Sequence, residues 1–292
     1  MITFSNGHKL DFACASGALS WHGRGWWWER PLVWAGIIDP RLLTVVAKTV
    51  TYNPKEGNLK MYCPWRCVRL VDGGAVNAIG LTNGGFKQWI DDYYPIAKEH
   101  GYKIACSIQV DTLEQAEVMG SALDPLGLAY VELNPSCPNV DGHGATDYVK
   151  DVLDSLQHHC RHPIVVKLSY GQTGDREFIK MLGENPQVEA IHCINTVPWE
   201  AVYPRLRSPL GEHTGGKKGG VSGPQIFPYT LRALGYLQQA THLPIIAGGG
   251  ISSLSNVYEA QIAGASAFSI GTLFLRRPWE PKRIINKYRS PQ

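Results

Sequence analysis

The sequence predicts an α/β fold of the TIM (β/α)8 barrel type, a single domain over residues 1–292. Three observations predict it. Short β-branched runs recur eight times along the chain. They are nearly continuous in apolar character rather than alternating, as parallel strands covered on both faces are. Most are separated by stretches with helical periodicity, and 292 residues with 44% hydrophobic content suffice for one large core of this kind.

In chain order the predicted strands are Phe12–Ser16, Val45–Thr49, Ile104–Ile108, Tyr130–Asn134, Val165–Ser169, Ile191–Asn195, Ile245–Gly248 and Phe268–Thr272. Between them, Tyr148, Val149, Val152, Leu153 and Leu156 fall on one helical face, with Lys150, Asp151, Asp154 and Ser155 between. Leu231, Leu234 and Leu237 repeat the pattern after Pro228, and Ser255-Asn256 reads as the cap of a short helix that runs through Ala263 and ends at Gly264. Two stretches read as loops: Ser20–Pro31, with its Trp26-Trp27-Trp28 run, and Pro204–Gly220, long enough for a lid over an active site or for a plain solvated excursion.

A net charge of +3, with Lys and Arg scattered along the chain, gives no support for a nucleic-acid partner. The seven cysteines are an odd number, and several sit inside apolar runs as small hydrophobes, the pattern of a reducing compartment. The opening Met-Ile-Thr-Phe-Ser-Asn-Gly carries no basic-then-apolar leader, and no stretch is apolar enough to span a membrane. A soluble cytoplasmic protein is expected. Cys63 and Cys67 have a spacing that begins a metal site, but no second Cys or His pair follows to complete it, so no metal is expected.

Barrels of this type carry their active sites at the carboxyl ends of the strands, and there the sequence collects polar residues. They are Ser16-Gly17, Lys48-Thr49, Ser107, Asn134, Lys167, Asn195-Thr196, Gly248-Gly249-Gly250 and Gly271-Thr272. Asn77, Asn134, Asn139 and Asn195 together suit a flat heterocycle studded with N–H and C=O groups, although a single asparagine more often ends a strand or turn. The glycines after the seventh and eighth strands either make tight turns or cradle a phosphate, and two clusters on adjacent strands favour phosphate. Lys48 and Lys167 lie in apolar runs. Each contacts an anion, serves as a Schiff-base lysine in an aldolase-like barrel, or reaches out to water. Cys137, in Val-Glu-Leu-Asn-Pro-Ser-Cys-Pro-Asn, offers a thiol as base if the site lowers its pKa.

Ten segments then stand in a familiar order: Ala15–Gly17, Ala47–Thr51, Gly57-Asn58, Asn77–Leu81, Val131–Asn139, Val165–Leu168, Ile194–Thr196, Gly219–Gly223, Gly248–Gly250 and Gly264–Thr272. Together they resemble the soluble class of dihydroorotate dehydrogenases over nearly the whole chain. The resemblance implies FMN-dependent oxidation of dihydroorotate to orotate, with another dihydropyrimidine as the alternative substrate. It implies Cys137 as base and Lys48 as a catalytic and substrate-contacting lysine. Asn77, Ala78, Ile79, Gly80, Leu81, Asn134, Asn139, Asn195 and Thr196 match substrate-holding positions. Ser16, Lys48, Thr49, Ser107, Asn134, Lys167, Ile194, Gly223, Gly249, Gly250, Gly271 and Thr272 match positions around FMN. A homodimer is implied. The acceptor is either fumarate or NAD reached through a separate flavin and iron-sulfur subunit, and Asn77–Leu81 and Ile194–Thr196 look more like the NAD-linked group. The Trp26–Trp28 run, Leu59–Cys63 and Pro198-Trp199 depart from the family pattern.

Overall fold

The computed structural model describes residues 1–135 and 146–290. Its centre is a closed barrel of eight parallel strands: β1 Phe12–Cys14, β2 Thr44–Val46, β3 Ile104–Gln109, β4 Val131–Leu133, β5 Ile164–Leu168, β6 Val188–Cys193, β7 Ile245–Gly248 and β8 Ala267–Ile270. Each strand pairs with the next, and β8 returns to β1 with Phe268 opposite Phe12. Each of the eight predicted runs overlaps one of these strands. Closure removes the sheet edges that would otherwise expose unpaired N–H and C=O groups.

Side chains alternate between the two faces of each strand. Facing inward are Ala13, Val46, Ala105, Tyr130, Val165, Ala190, Ile246 and Ala267, which pack with Ile2, Phe4 and Leu10 into one cluster. The latter three come from a small hairpin, Ile2–Thr3 with Lys9–Leu10, that plugs the amino end of the barrel. Two residues further along the same strands, the inward positions are Ala15, Lys48, Ser107, Glu132, Lys167, His192, Gly248 and Ser269. An apolar layer is thus followed by a polar one.

The outer shell contains helices α1 Leu113–Leu123, α2 Thr146–His159, α3 Arg176–Glu184, α4 Phe227–Ala240, α5 Leu254–Ile262 and α6 Glu280–Arg289. On α2 the predicted face is buried through Val149, Val152, Leu153 and Leu156. On α4 the buried stripe is Phe227, Thr230, Ala233, Leu234 and Leu237, so Leu231 lies at its margin. The start of α5 differs from expectation by two residues. Ser253, in extended conformation, accepts from the Asn256 N–H, and only an extended residue can cap in this way.

A four-stranded antiparallel sheet, absent from the sequence expectation, stands at the carboxyl end of the barrel. Val68–Val71 pairs with Gly74–Asn77, which pairs with Gly220–Ser222, which pairs with Val197–Pro198. Its short strands, two of them glycine-containing, carry little periodicity, yet together they place Asn77 beside the exit of β6. The end of the 204–220 stretch becomes its third strand, and the rest folds back on itself through Ser208 Oγ to Lys218 O and Thr214 Oγ1 to Lys217 O. No described helix is long and apolar enough to cross a membrane.

Candidate active site

A cavity of about 510 Å³ opens at the carboxyl end of the barrel. Its floor is the polar layer, represented by Lys167, His192 and Ser269. Its sides come from the segments that leave β1, β6, β7 and β8: Ser16 and Gly17; Ile194, Asn195 and Thr196; Gly249 to Ser252; Gly271 to Leu273. The antiparallel sheet adds Asn77 and Ser222, and Gly223 follows it. Among the described residues, none between 204 and 219 lines it.

Twelve of the residues that the resemblance matches to substrate- or cofactor-holding positions line the cavity: Ser16, Asn77, Ile79, Lys167, Ile194, Asn195, Thr196, Gly223, Gly249, Gly250, Gly271 and Thr272. Others stand behind it. Ser16 Oγ bonds Thr49 Oγ1 at 3.0 Å, Thr49 Oγ1 bonds Ser107 Oγ at 2.9 Å, and Asn134 Nδ2 donates to Thr49 Oγ1 at 3.2 Å. Asn195 Nδ2 in turn reaches Asn134 Oδ1 at 3.5 Å, and the Thr196 N–H donates to Asn195 Oδ1 at 2.9 Å. This chain fixes which way the amides point. Lys48 donates from Nζ to Thr82 O at 2.7 Å and lies 5.6 Å from the Trp21 ring centroid. Ala78 is buried in the main core, and Gly80 and Leu81 continue from it, beside the Gly57-Asn58 turn. Cys137 and Asn139 lie outside the described residues.

The polar layer also contains two groups that lie inside their strands rather than at strand ends, Glu132 and His192. Glu132 is fully buried, and its Oε2 meets His192 Nδ1 at 2.7 Å. Lys167 Nζ stands 3.8 Å from Oε1. Burial alone would push the Glu132 carboxyl up, but the Lys167 charge, the His192 hydrogen bond and the Ser107 hydroxyl outweigh it and hold the group ionised. Burial also pushes His192 down, against the pull of Glu132, so the ring is neutral and donates from Nδ1. The signal was present in the sequence: a Glu and a His each interrupt an apolar strand at an inward phase.

The glycines after β7 allow close approach to main chain. Gly250 has φ of +90°, and a Cβ there would fall 2.6 Å from the Phe227 N at the start of α4. Neither the backbone angle nor the space admits a side chain.

The outer wall is aromatic. Trp26 stacks on Trp28 with centroids 5.6 Å apart and donates from Nε1 to Gly17 O, and Leu59, Trp65, Val68 and Leu70 continue the apolar surface. Trp65 of this wall and Trp27, between Trp26 and Trp28, expose their rings. Within the wall, Glu29 is 2% exposed and accepts from the Trp26 N–H. Burial raises its pKa from 4.5 to about 7. An acid raised in this way stabilises the fold at low pH and loses that contribution as pH rises from its unfolded to its folded pKa. Stability is therefore expected to fall by about 3 kcal/mol between pH 4.5 and 7 on account of Glu29. In Glu29→Gln that slope should flatten, leaving the variant more stable than the parent above pH 7. Equal slopes in thermal melts across this range would remove Glu29 as its source.

A polar floor under apolar walls, with main chain exposed at glycines on one side, suits a flat heterocycle that carries an anionic tail. The fully buried Ser269 Oγ has no hydrogen-bond partner, which calls for a polar ligand edge at the floor.

The family model for dihydroorotate dehydrogenase matches residues 37–290. A protein of Desulforamulus reducens named dihydroorotate dehydrogenase B (NAD(+)), catalytic subunit, is 33% identical over 253 residues, 84% of this chain and 80% of that protein. The protein of the same name in Thermoanaerobacter pseudethanolicus is 31% identical over 237 residues, 80% of this chain and 76% of its own length. Among solved structures, a dihydroorotate dehydrogenase of Eimeria tenella in complex with ferulenol superimposes with a TM-score of 0.69 at 18% identity. It covers 95% of this chain and 80% of that one, a likeness of fold.

Proposed function

The chain belongs to the dihydroorotate dehydrogenase family, and from that premise we propose that it oxidises dihydroorotate to orotate in pyrimidine biosynthesis in the cytoplasm, with FMN as its resident cofactor. The observation that carries the reading is the cavity, whose polar floor suits the polar edge of a flavin ring and whose glycine-lined side suits a phosphate. Gly249, Gly250, Gly271 and Thr272 are assigned to the phosphate, Ser16, Ile194 and Gly223 to the body of the cofactor, and Lys167 to the polar edge of the ring. Thr49, Ser107 and Asn134 support this arrangement from behind through their hydroxyl and amide chain. Bound there, FMN would accept the hydride.

The substrate would be held between Asn77, Ala78, Ile79, Gly80, Leu81, Asn134, Asn139, Asn195 and Thr196. Their amides would meet the ring's N–H and C=O groups, and Lys48 would face its charge. Cys137 would take the proton from the carbon next to the ring carbonyl as the neighbouring carbon gives up its hydride, leaving the double bond of orotate. Holding both partners in contact is the main contribution of these residues, since hydride transfer depends on distance and alignment. The aldolase-like alternative loses ground at Lys167, which faces the Glu132 carboxylate rather than the apolar pocket or second cation that activates a Schiff-base lysine.

The acceptor is assigned to a partner. The relatives named above are catalytic subunits, and Trp27, Trp65, Leu70 and Leu275 expose apolar surface beside the cavity mouth, the composition of a protein interface. A flavin and iron-sulfur subunit passing electrons to NAD fits this surface, with the catalytic chain itself a homodimer.

An anaerobic absorption spectrum before and after dihydroorotate is the deciding test. Flavin absorbance that bleaches supports cofactor, substrate and half-reaction at once. Flavin that stays oxidised moves the substrate to another dihydropyrimidine, and a colourless protein that cannot be reconstituted with FMN overturns the reading.

A further inference from the structure

We propose that His192 is a positioning residue: by holding one oxygen of Glu132, it keeps the Lys167 ammonium presented to the cavity instead of captured by that carboxylate. The inference rests on the cavity being a flavin site, and not on the identity of the substrate.

The Glu132 carboxylate is divided between two cavity-lining neighbours, with the Ser107 hydroxyl a further, smaller influence on it. Glu132 Oε2 is taken by His192 Nδ1 at 2.7 Å, while Oε1 has no hydrogen-bond partner and stands 3.8 Å from Lys167 Nζ. That gap is wider than a charge-assisted hydrogen bond, which closes to about 2.7–2.9 Å. An ammonium and a carboxylate buried together would normally close it, because an unmet donor and acceptor in a low-dielectric interior are costly. The imidazole prevents this by fixing the plane of the carboxylate. The ring is itself confined. A Cβ at Gly248 would fall 2.6 Å from His192 Nε2, so the glycine at that position leaves just the room the ring occupies. His192 is thus held between β4, through Glu132, and β7, through Gly248. Lys167 and His192 both line the cavity while Glu132 does not, which puts the carboxylate behind the two groups it orients.

Without the ring, the carboxylate is free to turn onto Lys167 and draw the ammonium away from the cavity. The expected losses are in FMN affinity and in the midpoint potential of bound FMN, which falls when a positive charge moves away. His192→Leu, reconstituted with FMN after stripping, is expected to bind FMN on the order of ten-fold more weakly, by quenching of flavin fluorescence. Its midpoint potential should be more negative. His192→Asn, whose side-chain amide can donate from nearly the same point as Nδ1, should restore both.

A merely structural role is separated by a second background. In Glu132→Gln the neutral amide exerts no comparable pull on the ammonium, so adding His192→Leu there should cost little further affinity. Equal losses in both backgrounds, or a leucine variant with unchanged affinity and potential, overturn the proposal. If the leucine variant does not fold, His192→Asn decides alone, and a folded asparagine variant with lowered affinity overturns it. None of these measurements uses dihydroorotate, so failure of the substrate assignment would show separately, as flavin that binds normally and does not bleach.

Discussion

Cys137→Ala is expected to purify with FMN bound and to be reduced by dihydroorotate on the order of 10²–10⁴-fold more slowly than the parent chain, the usual range for loss of a general base. The reason is the chemistry of the step. A carbon-bound proton next to a carbonyl is a weak acid, and the hydride cannot leave the neighbouring carbon usefully unless that proton is taken. A thiol with an ordinary pKa near 8.5 supplies a usable fraction of base near neutral pH, and more if its surroundings lower that value. Rapid-mixing measurement of flavin bleaching under anaerobic conditions reads the step directly. An undiminished rate would remove Cys137 from the mechanism. Cys137→Ser should retain partial activity that climbs to higher pH than in the parent, since a hydroxyl holds its proton far more tightly.

Lys167→Ala should be costly for a different reason. It leaves Glu132, 0% exposed, ionised and without its cation. Breaking a buried pair on one side typically costs about 3–5 kcal/mol. Denaturant unfolding should show that loss, and the protein should also release FMN. The double variant Lys167→Met with Glu132→Gln removes both charges while keeping their volume, and is expected to recover most of the stability but not the cofactor. A single variant as stable as the parent would mean that the pair contributes nothing to the fold. Full FMN occupancy in the double variant would remove Lys167 from the cofactor site.

How far the molecule was legible in its sequence follows from which physical signals are local. The eight barrel strands were legible because each is a short apolar run between helical stretches, and a helix such as α2 because its buried stripe has a clean period. The antiparallel sheet at the mouth was not, because strands such as Gly220–Ser222 are defined by partners distant in sequence. In the site, Ser16, Lys167, Asn195 and the late glycines stood out as polar or small residues at strand ends. Glu132 and His192 were passed over because each lies inside its strand, flanked by apolar residues that mask its inward phase. Counting two residues on from Tyr130 and Ala190 would have found both. The Ser253 cap was missed because Ser255-Asn256, two positions later, offers the same side-chain chemistry, and only backbone conformation separates them.

The hairpin that plugs the amino end has a consequence for traffic. With Ile2, Phe4 and Leu10 packed beneath the inner layer, the barrel is a cul-de-sac rather than a corridor. Whatever enters from the mouth must back out the same way, so a product still seated there blocks the next substrate.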